Sequence, residues 1–152
     1  MTREDLVEEQ LTHSVIGAFY QVYNALGFGF LEHVYAMALE RELRARGHTV
    51  GREVYVTVSY KGEVLTKQRI DMLVDERLVV ETKATLELHK ASNRQVYNYL
   101  CATRLQVGLL LHFGPQPAFY RLVRTSPGED GSRTDQRSRA TRTHQERRGQ
   151  SR

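Results

Sequence analysis

Residues 70–83 constrain this chain most tightly. They read Ile-Asp-Met-Leu-Val-Asp-Glu-Arg-Leu-Val-Val-Glu-Thr-Lys, two apolar runs with β-branched residues around the polar break Asp75-Glu76-Arg77. That pattern predicts a β-hairpin with a short loop. With residues 75–77 as the loop, Val74 pairs with Leu78, and counting outward sets Asp71 directly across from Glu81. Side chains alternate faces along a strand, so Glu81 and Lys83 share one face while Val80 and Thr82 take the other. Two carboxylates opposed on one sheet face repel, which stability alone does not select. A divalent cation between them reverses the sign of the interaction.

The flanking sequence supplies the remaining elements. Leu11, Val15, Phe19, Val22 and Leu26 recur at spacings of three and four, predicting a helix over residues 6–26. Glu4, Asp5, Glu8 and Glu9 sit in its first turns, where the helix dipole favours acids. Gly27-Phe28-Gly29-Phe30 is a connector that calls for unusual backbone angles. A second helix is expected over residues 31–46, with Arg41, Arg44 and Arg46 near its end and Gly47 closing it. Strands follow over residues 50–60 and 64–74, joined by the Lys61-Gly62 turn. A third helix is expected over residues 91–103 and carries Gln95 and Tyr99 on one face, four residues apart. Residues 106–113 are almost wholly apolar and read as a strand buried on both faces. Residues 118–124 form a last strand, at an edge of the sheet. Cys101, on the third helix, reads as a small buried hydrophobe.

Charge divides the chain. From Ser126 onward there are seven Arg and no Lys against four Asp and Glu, and almost no apolar residues. Residues 126–152 are therefore expected to be a disordered Arg-rich tail, because they cannot offset ordering entropy by burial. Residues 1–125 hold 15 basic and 14 acidic groups and form one domain. A nearly neutral domain takes a polyanion partner through local placement of charge, not through its bulk field. The longest apolar stretches, such as residues 107–111, are too short to span a bilayer, and no signal peptide is recognisable. With one cysteine there is neither an internal disulfide nor a cysteine-based zinc cluster, which fits a cytoplasmic setting. The six histidines show no zinc-ligand spacing.

Gly29-Phe30-Leu31-Glu32-His33-Val34-Tyr35 fits the motif that names the GxxExxY proteins. Asp71, then Glu81-Thr82-Lys83, then Gln95 and Tyr99 on the following helix, resembles the site of the PD-(D/E)xK nuclease-like superfamily, to which the GxxExxY proteins belong. The similarity spans residues 11–123. It implies an α/β fold with a restriction-endonuclease-like core: a mixed sheet flanked by helices, two of them N-terminal. It also implies a metal-dependent phosphodiesterase site using Mg²⁺ or Mn²⁺ on nucleic acid, DNA or RNA. Thr82 departs from the usual apolar middle residue of ExK, and Ser92-Asn93 stands where relatives often carry a His-Glu pair.

On this reading Asp71 and Glu81 are metal ligands and Lys83 is the catalytic cation. Glu32 and Gln95 assist, Glu32 as a further carboxylate toward the metal, with Tyr35 and Tyr99 in support. Plain readings stand beside these. Lys83 can simply pair with a neighbouring acid, Glu32 suits a helix dipole, and Tyr35 reads as core packing with a hydroxyl hydrogen bond. The alternative function is a non-catalytic module that keeps the nuclease fold and binds nucleic acid or protein. The edge strand at residues 118–124 offers a route to a homodimer.

Overall fold

The computed structural model describes residues 8–125. The tail expected over residues 126–152 and the helix start expected at residue 6 lie outside them. The element order is α1 (Glu9–Leu26), α2 (Glu32–Ala45), β1 (Val50–Tyr60), β2 (Glu63–Val74), β3 (Leu78–Lys83), α3 (Ala91–Thr103), β4 (Val107–Phe113) and β5 (Pro117–Val123). The five strands form one mixed sheet in sequence order, and β5 is an edge as expected. Only the β3–β4 pair is parallel, because α3 carries the chain back across the sheet between them.

Helices cover both faces. Leu11, Val15, Phe19 and Val22 of α1 and Tyr35, Leu39 and Leu43 of α2 pack on Met72, Val74, Leu78, Val80, Leu109 and Phe113. Phe113 anchors this layer, edge-on to Phe19 at 4.7 Å and stacked on Tyr35 at 4.4 Å between ring centroids. On the other face α3 places Val96, Tyr99 and Leu100 against Ile70, Val79 and Leu110. A Cβ on Gly108 would lie 2.7 Å from Val96 Cγ1, so glycine there lets α3 seat closely on β4. Every residue of β4 is buried, as its apolar run predicts for a central strand. Cys101 corrects the sequence reading: it is exposed, because α3 turns residues 96, 99 and 100 to the sheet and carries 101 outward.

The hairpin forms in the expected register at its closed end, with Val74↔Leu78, Leu73↔Val79 and Met72↔Val80. Both central residues of its turn are left-handed, Asp75 at φ 51° and Glu76 at φ 57°. Further out the expectation fails in an informative way. Ile70 packs in the α3-side cluster and Met72 in the opposite one, although residues two apart on an unbroken strand share a face. On the neighbouring strand Glu53 has φ 53°, and the register runs from Arg52↔Met72 to Val54↔Ile70 without a 53–71 pair. The alternation of β2 therefore resets at Asp71. Its ladder with β3 ends at Met72↔Val80, and Asp71 is not a ladder partner of Glu81.

Candidate active site

The irregularity at Asp71 frees its side chain to turn along the sheet toward the end of β3. There Oδ2 accepts two hydrogen bonds from Thr82, from the backbone N–H and from the hydroxyl, each at 3.0 Å. Thr82 is fully buried, and its hydroxyl also reaches Glu32. One threonine thus joins two acids that lie 39 positions apart in sequence. Sequence reasoning assigned Thr82 to the face away from Glu81 and gave it no part in the site. Its only signal was a hydroxyl where the E-x-K pattern usually carries an apolar residue.

Glu81 is 4% exposed. Its Oε2 has no hydrogen-bond partner, and Lys83 Nζ lies 3.6 Å from Oε1. Burial, then the negative charge of Asp71, push its carboxyl up to about 8, against the pull of Lys83 and the backbone N–H of Asp71. Glu32, exposed on the first turn of α2, is also raised, by desolvation first and by Asp71 second. Asp71, Glu81 and Glu32 thus share one electrostatic neighbourhood, with Lys83 and Arg69 as counterweights.

The loop before α2 shows what the glycine, glutamate and tyrosine of residues 29–35 do. Gly29 has φ 116°, an angle that L side chains rarely adopt. Tyr35, with its ring fully buried, donates its hydroxyl to Gly27 O at 2.6 Å and accepts from the Phe30 N–H at 3.2 Å. The ring anchors in the core and the hydroxyl ties the loop back, which fixes where α2 starts and hence where Glu32 stands. Tyr35 itself stays away from the acids.

On the other side, Gln95 Nε2 donates to Tyr99 Oη at 2.9 Å, and Tyr99 donates to Arg69 O at 3.2 Å. This relay pins α3 to β2 two residues before the reset at Asp71. Burial, then Glu81, raise the Tyr99 hydroxyl above its ordinary range. An open groove of about 470 Å³ runs past Gln95, bounded by Gln68, His89, Ser92, Arg94 and Asn98. His89 and His33 are exposed.

The donor set is hard oxygen: two or three carboxylates and a hydroxyl. Among the described residues, no group of three or more His, Cys, Asp or Glu side chains is placed to hold a metal ion by itself. Magnesium does not ask for one, since it takes one or two protein carboxylates and fills its octahedron with water and phosphate. The buried, unpartnered Oε2 of Glu81 is the atom that such an ion satisfies. The residues fit a hard divalent cation.

One family model, that of the PD-(D/E)XK nuclease superfamily, matches the chain across residues 9–122, which take in all three helices and the mixed sheet up to its last strand. The chain belongs to the PD-(D/E)XK nuclease superfamily. The crystal structure of SSO0001 is similar to this PD-(D/E)XK domain, with a TM-score of 0.51 at 20% identity over 82% of this chain. The chain spans 62% of that protein, and likeness at this identity speaks for the fold alone. No curated protein matches the chain. PD-(D/E)XK nucleases usually work with divalent metals. Among the described residues of this PD-(D/E)XK chain, no helix is long and apolar enough to cross a membrane.

Proposed function

We propose that the protein is a metal-dependent nuclease that hydrolyses phosphodiester bonds in DNA or RNA. The observation that carries this reading is Glu81: a buried acid beside a second acid, with an oxygen left unpartnered. A fold gains nothing from that arrangement, since an unsatisfied buried polar atom costs about 1–3 kcal/mol. Asp71 and Glu81 hold the ion, and Glu32 contributes a third carboxylate directly or through water. Bound there, Mg²⁺ or Mn²⁺ supplies Lewis-acid neutralisation of phosphate charge and lowers the pKa of a water.

The chain's own groups do the rest. Lys83, 3.6 Å from Glu81, holds a phosphate oxygen or orients the attacking water as a compact point charge. Thr82 keeps Asp71 aimed. Gln95, fixed through Tyr99, presents its amide at the entrance to the groove, where the substrate backbone lies. Gly29, Glu32 and Tyr35 fit the motif of the GxxExxY proteins and support reading the chain as one of them within the superfamily. Incubating the protein with plasmid, single-stranded DNA and RNA in Mg²⁺, Mn²⁺ or EDTA tests this reading. Cleavage that needs the cation and disappears in Lys83→Ala supports it. Cation-independent binding without cleavage supports a non-catalytic nucleic-acid module, and equal cleavage by Lys83→Ala rejects the site.

A further inference from the structure

A second cluster, on different elements from the acids above, has the geometry of a nucleophile, a base and an orienting acid. Ser14 Oγ lies 2.7 Å from His48 Nε2, and His48 Nδ1 lies 2.7 Å from Asp75 Oδ2. The second oxygen of Asp75 accepts from the Thr49 N–H at 2.8 Å and the Thr49 hydroxyl at 3.3 Å. Burial, the largest single influence, pushes the Asp75 carboxyl up, yet the hydrogen bonds from His48 and Thr49 hold it below its ordinary range. A carboxylate can only accept, so Nδ1 carries the proton. In the neutral ring Nε2 is then the acceptor for the Ser14 hydroxyl.

Three further observations set this apart from an incidental polar network. Ser14 lies inside α1, where a serine ordinarily bonds back to a carbonyl one turn earlier, yet its Oγ reaches a residue 34 positions away. Asp75 sits at the first central position of the hairpin turn, in left-handed backbone that aspartate tolerates, and from there its two oxygens reach His48 and Thr49. Gly17, one turn after Ser14, accommodates Arg46: a Cβ there would lie 2.8 Å from Nη1, and Nη1 itself donates to Ser14 O at 3.3 Å. Glycine inside a helix costs about 0.5–1 kcal/mol relative to alanine. Here it admits a guanidinium onto the turn that bears the hydroxyl. Ser14, His48 and Asp75 are each partly exposed, so the group opens to solvent.

We propose that Ser14, His48 and Asp75 form a second, metal-independent site that transfers acyl groups from small esters to water. Ser14 Oγ attacks the ester carbonyl while its proton passes to His48 Nε2. Arg46, paired with Glu42 at 3.2 Å and donating to the Ser14 carbonyl, sets a positive charge beside the turn that bears the hydroxyl. The carbon–oxygen bond to the alcohol then breaks, and His48 returns the proton to the departing oxygen. Water, deprotonated by the same nitrogen, cleaves the Ser14 ester, releasing the carboxylic acid and the free hydroxyl. Asp75 holds the ring in the required tautomer throughout.

The test uses the full chain in EDTA, which separates it from the cation-dependent cleavage above. A fluorophosphonate probe is added and intact mass is read, alongside hydrolysis of p-nitrophenyl acetate. The expected result is one adduct per chain, mapped to Ser14 and absent in Ser14→Ala. Hydrolysis should fall by about 10²-fold or more in Ser14→Ala, His48→Gln and Asp75→Asn. An unlabelled Ser14 in the wild-type protein overturns the proposal without reliance on any variant. So does Ser14→Ala hydrolysing at the wild-type rate, and so does a Ser14→Ala protein whose melting temperature drops while hydrolysis is unchanged, which would make the trio a structural clamp.

Discussion

Thr82 gives both its backbone N–H and its hydroxyl to Oδ2 of Asp71, at 3.0 Å each. The residue that sits inside the E-x-K triplet of β3 therefore fixes the acid contributed by β2. Losing the hydroxyl while keeping the shape leaves Asp71 held by one bond instead of two. Thr82→Val is expected to fold normally and to bind Mn²⁺ about tenfold more weakly, one hydrogen bond to a charged group being worth roughly 1.5–3 kcal/mol at most. Thr82→Ser should stay near wild type. Calorimetric titration of the two variants checks the difference.

Burial of Glu81 makes a signed statement about pH. Its carboxyl stands at about 8 in the folded protein against an ordinary 4.5, so the native state favours the neutral form. Below pH 4.5 both states hold the proton and there is no penalty. As pH rises from 4.5 toward 8 the unfolded chain releases the proton and the folded one keeps it, so stability falls. Above about pH 8 the penalty is complete, on the order of a few kcal/mol. Glu81→Gln, which mimics the neutral acid, is expected to melt higher than wild type in EDTA, with a gap that widens from pH 5 to pH 8. A constant gap across that range would contradict the assignment.

Tyr35 divides its work between a ring in the core and a hydroxyl on the α1–α2 loop. Tyr35→Phe keeps the ring and removes both loop bonds. The expected loss is about 1–2 kcal/mol by denaturant titration, with faster amide exchange at Phe30 and Leu31 but not in β4. Unchanged exchange in the loop would mean that the hydroxyl does not set the position of Glu32.

The hairpin turn and its register were legible because a polar break between β-branched runs has few other solutions. The central strand and the edge strand followed from composition in the same way. What sequence did not show was the reset of β2 at Asp71, since a left-handed Glu53 on the partner strand leaves no mark in hydropathy. Strict alternation therefore set Asp71 opposite Glu81 and Thr82 away from both. In the structure Asp71 leaves the ladder and turns its side chain toward the end of β3, where Thr82 holds it. Cys101 was misjudged because residue type suggested burial, while its position on α3 relative to Val96, Tyr99 and Leu100 decides exposure. The Ser14–His48–Asp75 contacts join a helix, a connector and a turn, so no local pattern announces them.

The most direct measurement is Mn²⁺ binding by electron paramagnetic resonance on wild type, Asp71→Asn and Glu81→Gln, each first shown to be folded by circular dichroism. The expected result is one bound ion per wild-type chain, tighter at pH 8 than at pH 6, and no binding in either variant. An ion retained with unchanged affinity when either acid is neutralised would contradict the claim that Asp71 and Glu81 share it.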